Sequence, residues 1–544
     1  MRLIAPVLAA TLLAAGCTST PDVALRKGDP AAKTGGVLRV ATTTPGSVDP
    51  GNVYEPVSEL IVRTLCTPLL TTDPETSEVR PGVVESYLVS DGGASIALRL
   101  RDDAVFSDGT PVTAEDVAFT LSRIASADYA STSAERLAPV DGYAEIHGDE
   151  STNEDLERRR LRGVGVRDDE NVQIQLLEPL SDFVRVLTDP LLSPVSKKAA
   201  ERDPEAFGRN PVCVGPYQLE KPYAPGDDAL RLVRSRAFTA VDSVLTRGGR
   251  GYADTIEFRF YDDAAAAAGA VAKGEADVAP ARPDDVSGVQ SGPGPLLEYL
   301  GLPTTSAGFE DPRVRQAVSL AIDREELVRR VFPRTRVAAD GFLPATSEAD
   351  DDCDAAPARA DLAAAKQLLG QAGADLSTVR VPLYFNDELR NRELVADVAR
   401  QLRAGIGLTA VPTPLTFPAF LTKAASPQGF DGLFRFSWSV PHSAVDGYLH
   451  PLFSTDRIGR DNLSRFSDPE VDRTLDRIAR EAEDDADRTL GYAQVTDLLC
   501  ERMPMVPLTT TLSRWLVADE VGSAIGRYVD GSTGRLQVRE LYLR

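Results

Sequence analysis

Residues 106–121 read FSDGTPVTAEDVAFTL, a run in which a turn is followed directly by a helix start. Asp108-Gly109 is typical of a tight turn, because these two residue types tolerate the backbone angles that turns require. Thr113 is a favourable N-cap, and the two acidic residues after it suit the positive end of a helix. The apolar residues from 117 to 124 continue as a helix would. The run therefore predicts a turn and a capped helix.

Strand and helix patterns alternate on either side of this run. Half-buried strands are predicted where apolar and polar side chains alternate, at residues 36–41, 95–100, 164–166 and 172–176. Helices are predicted over residues 57–65 and over the alanine-rich residues 262–273. The N-terminal half is therefore expected to mix α and β structure.

The second half has the same mixed character. One long amphipathic helix is predicted over residues 314–331, and further elements are two helices, 361–369 and 393–402, and a strand, 379–385. Residues 287–295 are rich in Gly and Pro and show little periodicity. This segment is the best candidate for a crossing between two parts of the molecule.

Length and charge limit the possible functions. A chain of 544 residues exceeds a single core, since cores stop growing at roughly 250–300 residues, so two or three domains are expected. The formal net charge of −23 makes nucleic acids and anionic lipid surfaces poor partners. The motifs of common hydrolases, G-x-S-x-G and H-E-x-x-H, do not occur in the sequence. The chain is therefore not expected to be an enzyme.

The first residues have the pattern of an export signal. Residues 1–16 begin Met-Arg, continue with an apolar run and end in small residues, as secretory signal peptides do. Residues 13–17, LAAGC, resemble the bacterial lipobox, which implies that Cys17 is lipidated and becomes the new N-terminus. Residues 17–34 would then be the lipidated N-terminus and a flexible polar tether.

The remaining cysteines are even in number: Cys66, Cys213, Cys353 and Cys500. In an oxidising compartment they predict two disulfides, and three pairings are possible. The chain contains only three histidines, His147, His442 and His450, and its cysteine spacings are far from C-x-x-C. Neither a metal site nor a cofactor is therefore predicted.

Several blocks resemble the large solute-binding proteins of the peptide/nickel ABC importer family, which are related to oligopeptide- and dipeptide-binding proteins. Residues 106–121 are similar to the family signature F-x-D-G-x-P-x-T-A-x-D-V-x-F-T-L. Other blocks follow in the family's order: CVGPYQL at 213–219, DPRVRQA at 311–317, AIDR at 321–324 and PMVPL at 504–508. Together they cover most of residues 35–515.

The resemblance implies an α/β fold of the two-lobed, periplasmic-binding-protein (Venus-flytrap) type. The expected division is a first lobe at 35–295 with an inserted subdomain at about 70–205, a second lobe at 296–503, and a return to the first lobe at 504–544. Pairing Cys66 with Cys213 and Cys353 with Cys500 would keep each bridge within one lobe, so that hinge motion is not blocked.

The resemblance also implies a ligand in the cleft between the lobes. Trp438 and Asp446 belong to a segment similar to the family's W-x-x-D-x-x-D-P-x-x-F-L, in which an Asp three residues after the Trp resembles a counter-charge for a peptide ammonium. Here that position is Pro441. Either Asp446 takes this role or the ligand lacks the charge. The other expected contacts are Thr43, Thr44, Tyr54, Phe385, Asn386, Phe436 and His442.

The function predicted by this resemblance is capture of a peptide or peptide-like ligand and its delivery to the permease subunits of an ABC importer. The protein is expected to be a monomeric lipoprotein on the outer face of the cytoplasmic membrane, held there through Cys17. The alternative, motivated by Pro441, is a non-transport lipoprotein of the same fold that acts as a regulator or binds partners in the cell envelope. A co-purifying ligand would argue against that alternative.

Overall fold

A computed structural model describes residues 32–73, 78–129, 131–148, 160–180, 182–238, 251–347, 349, 351–439, 445–482 and 485–544. The predicted signal peptide and Cys17 lie outside the described residues. Across these described ranges, every helix is too short or too polar to cross a lipid bilayer.

The strands alternate with helices along the chain. The strands are β1 (Val37–Thr42), β2 (Leu70–Thr72), β3 (Val79–Pro81), β4 (Val84–Ser90), β5 (Ser95–Leu100), β6 (Val164–Val166), β7 (Asn171–Gln175), β8 (Tyr217–Leu219), β9 (Ala229–Arg234), β10 (Thr255–Phe260), β11 (Val278–Pro280), β12 (Val289–Gly301), β13 (Arg336–Ala338), β14 (Arg380–Asn386), β15 (Thr409–Leu415), β16 (Leu433–Trp438), β17 (Met505–Val517), β18 (Val521–Ser523) and β19 (Leu541–Leu543).

The helices vary in length from one turn to five. They are α1 (Pro56–Leu65), α2 (Ala114–Ala125), α3 (Tyr143–His147), α4 (Phe183–Val186), α5 (Lys197–Arg202), α6 (Pro204–Arg209), α7 (Ala264–Ala272), α8 (Pro312–Leu320), α9 (Arg324–Val331), α10 (Leu362–Ala372), α11 (Leu389–Ile406), α12 (Phe417–Ala424), α13 (Asp446–Phe453), α14 (Pro469–Glu481) and α15 (Asp485–Arg502).

The predicted capped helix is present as α2. Gly109 has a φ of 84°, which a side chain would disfavour, so the turn before the helix requires glycine. Thr113 and Asp116 form a reciprocal capping box: the Asp116 N–H donates to Thr113 Oγ1 at 3.4 Å, and the Thr113 N–H donates to Asp116 Oδ2 at 3.0 Å. Asp116 Oδ1 also accepts from the Lys197 N–H at 2.9 Å. The same side chain therefore caps α2 and joins it to α5.

The large sheet has the strand order β15-β14-β16-β12-β17-β11-β1-β10-β9-β8, and β13 pairs with β17 beside this path. It mixes parallel pairs, such as β1 with β10, and antiparallel pairs, such as β12 with β17. One edge strand, β15, carries Pro412 and Pro414. A separate antiparallel sheet has the order β4-β5-β7-β6.

Two long strands, β12 and β17, run through the middle of the large sheet. Residues 289–293 of β12 pair with residues 512–516 of β17, whereas residues 297–301 pair with residues 505–510. The register shifts between Pro293 and Leu297. The segment 287–295, predicted to be an aperiodic crossing, is therefore largely strand, and its Gly and Pro residues lie at and before a bulge where pairing is interrupted.

Buried apolar side chains form three large cores. The first lobe core draws on residues 38–66, 191–278 and 517–541, and the inserted-subdomain core on residues 69–192 and Val214. The second-lobe core draws on residues 297–508. Separate cores linked by two strands are what a two-lobed fold requires. The residue numbers at which the lobes are divided stay a prediction.

Each disulfide lies within one of these units. Cys66 bonds to Cys213 at the first-lobe core, and Cys353 bonds to Cys500 at the second-lobe core, with Cα–Cα distances of 5.5 Å in both bridges. Neither bridge links the first lobe to the second, so neither restrains their relative motion directly.

The single helix predicted over residues 314–331 is wrong, because two helices, α8 and α9, occupy this stretch. Asp323 caps α9: its Oδ1 accepts from the Glu326 N–H at 2.6 Å. Arg324 is fully buried and donates from Nε to the Pro507 carbonyl at 2.7 Å and from Nη2 to Ser319 Oγ at 2.7 Å. The break places this arginine where it satisfies carbonyls that would otherwise be unpaired.

Candidate functional site

The β16 strand carries the aromatic residues expected at the cleft. It pairs antiparallel with β12, so that Phe436 lies opposite Tyr299 and Trp438 opposite Leu297. The Phe436 ring is half-buried and stacks on Phe420 with a centroid distance of 5.5 Å. Phe436 is therefore held by the second-lobe core and exposes only part of its ring.

Trp438, at the end of β16, is half-buried and fixed in orientation. Its indole Nε1 donates to the Gly447 carbonyl at 2.8 Å, in the first turn of α13. An indole N–H satisfied in this way leaves the ring as a rigid apolar surface. The bond also brings Trp438 next to Asp446, the residue before Gly447.

Asp446 is the first residue of α13 and is half-buried. Burial raises the pKa of its carboxyl above the usual range, and the nearby His450 and Arg457 partly oppose the rise. The protein alone therefore stabilises the ionised form of Asp446 poorly. A further positive charge beside the carboxyl group would favour ionisation.

Phe385 and Asn386 end β14, and both are buried. Asn386 Oδ1 accepts from Arg435 Nη1 and from Asn391 Nδ2, each at 3.0 Å, and Asn386 Nδ2 donates to Glu388 at 2.8 Å. The Asn386 amide is thus bonded to other protein side chains and links β14 to Arg435 of β16.

Sequence reasoning missed a buried charge cluster next to Asn386, which bonds to one of its members, Arg435. Glu298 of β12 is fully buried and pairs with Arg435 of β16 and Arg336 of β13. Burial lowers the pKa of Arg435 to about 10 and that of Arg336 to about 9. The available signal was an acidic residue within the apolar run LLEYL at 296–300. The cluster ties together three strands of the second lobe.

The first-lobe candidates form a separate group around one loop. Thr43 is half-buried, Thr44 is exposed, and Tyr54 is 65% exposed. A Cβ on Gly46 would lie 2.1 Å from the Tyr54 hydroxyl oxygen, so the absence of a side chain there lets Tyr54 cover the loop. The structure therefore brings Tyr54 and the 43–46 loop together.

The first-lobe group and the second-lobe group share no direct polar contact in the described part of the chain. Among described residues, no hydrogen bond or ion pair joins Thr43, Thr44 or Tyr54 to the candidates of the second lobe. His442 lies outside the described residues. The lobes do approach each other elsewhere: Arg480 Nη2 of α14 lies 3.7 Å from Glu178 Oε2.

Charged groups of the first lobe act on two second-lobe residues, Tyr492 and Asp461. Burial raises the pKa of Tyr492 well above its usual range, and the charges of Asp182 and Asp446 add to the rise. Burial also raises the pKa of Asp461, and Glu135 adds to that rise. Within the described residues, no group of three or more His, Cys, Asp or Glu could hold a metal ion.

Comparisons with known proteins agree with this architecture. The chain is 24% identical over 486 residues to the glutathione-binding protein GsiB of Shigella flexneri, covering 85% of this chain and 86% of the relative. It superimposes on clavulanic acid biosynthesis oligopeptide binding protein 2 with a TM-score of 0.80 and 24% identity, covering 94% of this chain and 96% of that one. For the unliganded open form of the periplasmic murein tripeptide binding protein MppA the TM-score is 0.79 at 21% identity, covering 94% and 98%.

These likenesses confirm the predicted two-lobed α/β fold, and a family match adds to them. Residues 78–460, well over half of the chain, match the family described as bacterial extracellular solute-binding proteins, family 5. The matched range contains the four-stranded sheet β4-β5-β7-β6, the helix α2 and the strands β12, β14, β15 and β16 of the large sheet. The chain therefore belongs to the bacterial extracellular solute-binding proteins of family 5.

Proposed function

We propose that this solute-binding protein captures a peptide or peptide-like ligand with a free amine in the cleft between its lobes and delivers it to an ABC importer. The observation that carries the proposal is the half-buried Asp446 beside the fixed ring of Trp438. A half-buried carboxylate next to an apolar platform suits an ammonium group joined to an apolar side chain. Relatives and fold neighbours described as binding glutathione, murein tripeptide or oligopeptide support the ligand class.

In this proposal Asp446 replaces the counter-charge that Pro441 cannot provide. The raised pKa of Asp446 supports the role, because a carboxyl that is costly to ionise in the free protein gains most from an incoming cation. The comparisons do not favour the alternative of an envelope regulator.

The test begins with native mass spectrometry of residues 18–544, gently purified, to detect a bound mass that is lost on denaturation. Calorimetry would then compare peptides that have free and N-acetylated amino ends. We expect Asp446→Asn to weaken binding of the free-amine peptides by about tenfold or more, since a charge-assisted contact is lost, and to leave acetylated peptides unaffected. The matched control is Asp456→Asn, which removes an exposed carboxylate that is also near His450.

Two results would contradict the proposal. If the unaltered chain bound free and acetylated peptides equally well, the proposed contact between Asp446 and the ligand amine would be contradicted. If no bound mass were found and no peptide pool raised the melting temperature, a peptide ligand would be contradicted. A ligand that binds the folded state must stabilise that state.

The proposal includes export and anchoring through Cys17, with the protein monomeric on the outer face of the cytoplasmic membrane. The first strand, β1, starts at Val37, which leaves residues 17–34 for a tether. We expect Cys17→Ser to move the protein from the detergent phase to the aqueous phase in a Triton X-114 partition of cells. Retention in the detergent phase would contradict the anchor.

A further inference from the structure

The two strands that join the lobes, β12 and β17, lose their regular pairing at one place. β17 contributes Met505 to the second-lobe core and Val517 to the first-lobe core, and β12 enters the second-lobe core at Leu297. Between these cores the pairing is interrupted from Pro293 to Leu297, so that three residues of β12 face one residue of β17, Thr511. A strand is less restrained where its ladder is interrupted. Rotation of one lobe against the other is therefore expected to be concentrated at this bulge.

The second lobe holds the bulge through the hydroxyl of Tyr448. Tyr448 is 4% exposed and packs in the second-lobe core. Its hydroxyl donates to the carbonyl of Pro295, which lies in the unpaired part of β12. The next residue, Leu296, donates from its N–H to Thr511 Oγ1 at 3.3 Å. Two side chains therefore fix the second-lobe end of the bulge, where the strand ladder does not.

The helix that carries Tyr448 also carries the cleft candidates. Tyr448 lies two residues after Asp446, in the first turn of α13. The residue between them, Gly447, accepts the bond from the Trp438 indole. A single rigid turn thus connects the ring and the carboxyl group of the proposed ligand site to the carbonyl of Pro295.

The first lobe also packs against the bulge, through the loop that contains Gly534. A Cβ added to Gly534 would lie 2.7 Å from the Pro293 carbonyl oxygen and 2.9 Å from Pro295 Cδ, which shows how closely the loop approaches. The neighbouring Arg535 donates from Nε to Glu59 Oε1 of α1 at 2.8 Å and joins this loop to the first lobe. The bulge therefore has a close neighbour in each lobe.

We propose that Tyr448 is a positioning residue of the hinge, which makes the cleft helix α13 and the second-lobe end of the bulge move as one body. Lobe rotation is then confined to the first-lobe side of Pro295, where Gly294 has the backbone freedom that rotation needs. A hinge with few accessible orientations reduces the entropy lost when the lobes close on a ligand. This benefit for ligand capture rests on the proposed function, whereas the hinge contact does not.

The first test needs no ligand. Hydrogen exchange followed by mass spectrometry on residues 18–544 would compare the unaltered chain with Tyr448→Phe, which removes only the hydroxyl. We expect peptides that cover residues 289–301 to exchange about fivefold faster in the variant, the effect of one lost hydrogen bond on local opening. The matched control is Tyr217→Phe, because the buried Tyr217 of the first lobe also donates to a backbone carbonyl, that of Ala253, at 2.9 Å. This control should leave exchange of residues 289–301 unchanged.

The second test measures the orientations of the lobes. Spin labels at Lys221→Cys in the first lobe and Arg359→Cys in the second, both at exposed side chains, report the distance between lobes by pulsed electron paramagnetic resonance. We expect Tyr448→Phe to broaden this distance distribution and Tyr217→Phe to leave it unchanged. Affinity for a free-amine peptide should fall by about fivefold in Tyr448→Phe.

The hinge role is overturned if Tyr448→Phe changes neither the exchange of residues 289–301 nor the width of the distance distribution. It is also overturned if Tyr217→Phe changes both as much, since the effect would then come from general loss of stability. Weaker peptide binding without either change would make Tyr448 a ligand contact instead of a hinge residue. If no peptide binds the unaltered chain, the proposed function fails, and the exchange measurement still decides the hinge role.

Discussion

Asp351 shows how the position of one side chain sets its protonation. Its Oδ2 accepts from the Leu343 N–H at 2.6 Å in the second lobe. Burial, with Asp340 and Asp352 nearby, nevertheless raises the pKa of Asp351 to about 7. In the unfolded chain the pKa of an aspartate is about 3.9. Between these two pH values the folded protein holds a proton that the unfolded chain releases.

The first prediction is a pH dependence of stability. Since the folded state binds more protons between about pH 4 and pH 7, its free energy of unfolding should fall as pH rises through that window. Glu540, whose pKa burial also raises to about 7, acts in the same direction. Asp351→Asn should therefore reduce the fall, by on the order of 1–3 kcal/mol, without abolishing it. Urea denaturation of both proteins at pH 4.5 and at pH 7 measures this change in the free energy of unfolding.

The control for this prediction is Asp354→Asn, which removes one exposed carboxylate three residues along the chain. An Asp351→Asn protein with the same pH slope as the unaltered chain would show that Asp351 is not the titrating group.

At the scale of single elements, the bulged strand β12 differs most from its expected form. The Gly and Pro content of residues 287–295 predicts an aperiodic crossing between two parts of the molecule, yet the segment is largely strand because β17 pairs with it on both sides of the bulge. Gly294 lies in the bulge, where an added Cβ would be 2.4 Å from Thr511 Oγ1 and 2.9 Å from its carbonyl oxygen. Close approach of the two strands therefore requires glycine at this position.

The second prediction compares two glycine substitutions. Gly294→Ala should destabilise the protein by about 1–3 kcal/mol, because the methyl group would push β12 away from β17. Gly269→Ala in α7, where a Cβ has open space, should instead stabilise by about 0.5–1 kcal/mol through helix propensity. Thermal unfolding of the two variants measures both effects. A shift of the same sign in both would contradict this account of the bulge.

Sequence reasoning succeeded where the determinants were local. The helix α2 could be predicted because its cap, Thr113, and its acidic first turn are adjacent in the chain. The pairing of the buried Arg324 and Glu298 was not predicted, since their partners lie far along the chain, such as Pro507 for Arg324 and Arg435 for Glu298. A charged residue in an apolar run is usually taken as a solvent-exposed position. Only tertiary pairing shows that it is buried.

The same limit applies to the candidate site. Trp438 and Asp446 could be named from a family segment, but the bond from the indole to Gly447 that fixes Trp438 beside Asp446 depends on how β16 meets α13. Asn386 was expected as a ligand contact, and the structure gives its amide three protein partners. Its role as a ligand contact stays a prediction.

At the scale of the whole molecule, the lobes are stabilised separately. Cys66–Cys213 and Cys353–Cys500 each connect positions 147 residues apart, and each lies beside the core of one lobe. Covalent links between distant positions restrict the unfolded chain, which stabilises the folded one. Because neither bridge spans the two lobes, this stabilisation does not come at the expense of lobe movement.

The third prediction concerns these bridges. Replacing Cys353 and Cys500 together by Ser should lower the stability of the second lobe by about 2–5 kcal/mol and leave that of the first lobe nearly unchanged. Scanning calorimetry should show one unfolding transition moved to lower temperature, with ligand affinity at 25 °C within about twofold of the unaltered protein. The Cys66 and Cys213 double replacement should move the other transition. Loss of both transitions in either variant would contradict separate stabilisation.

The edge strand β15 has a consequence for the behaviour of the protein at high concentration. Pro412 and Pro414 lie at alternate positions of a strand that, among the described residues, pairs with β14 alone. Alternate residues of a strand direct their N–H groups to the same side, and proline has none to donate. A second molecule that tried to extend the sheet at this edge would find two hydrogen bonds missing. The two prolines therefore disfavour strand pairing between molecules and the aggregation that follows from it.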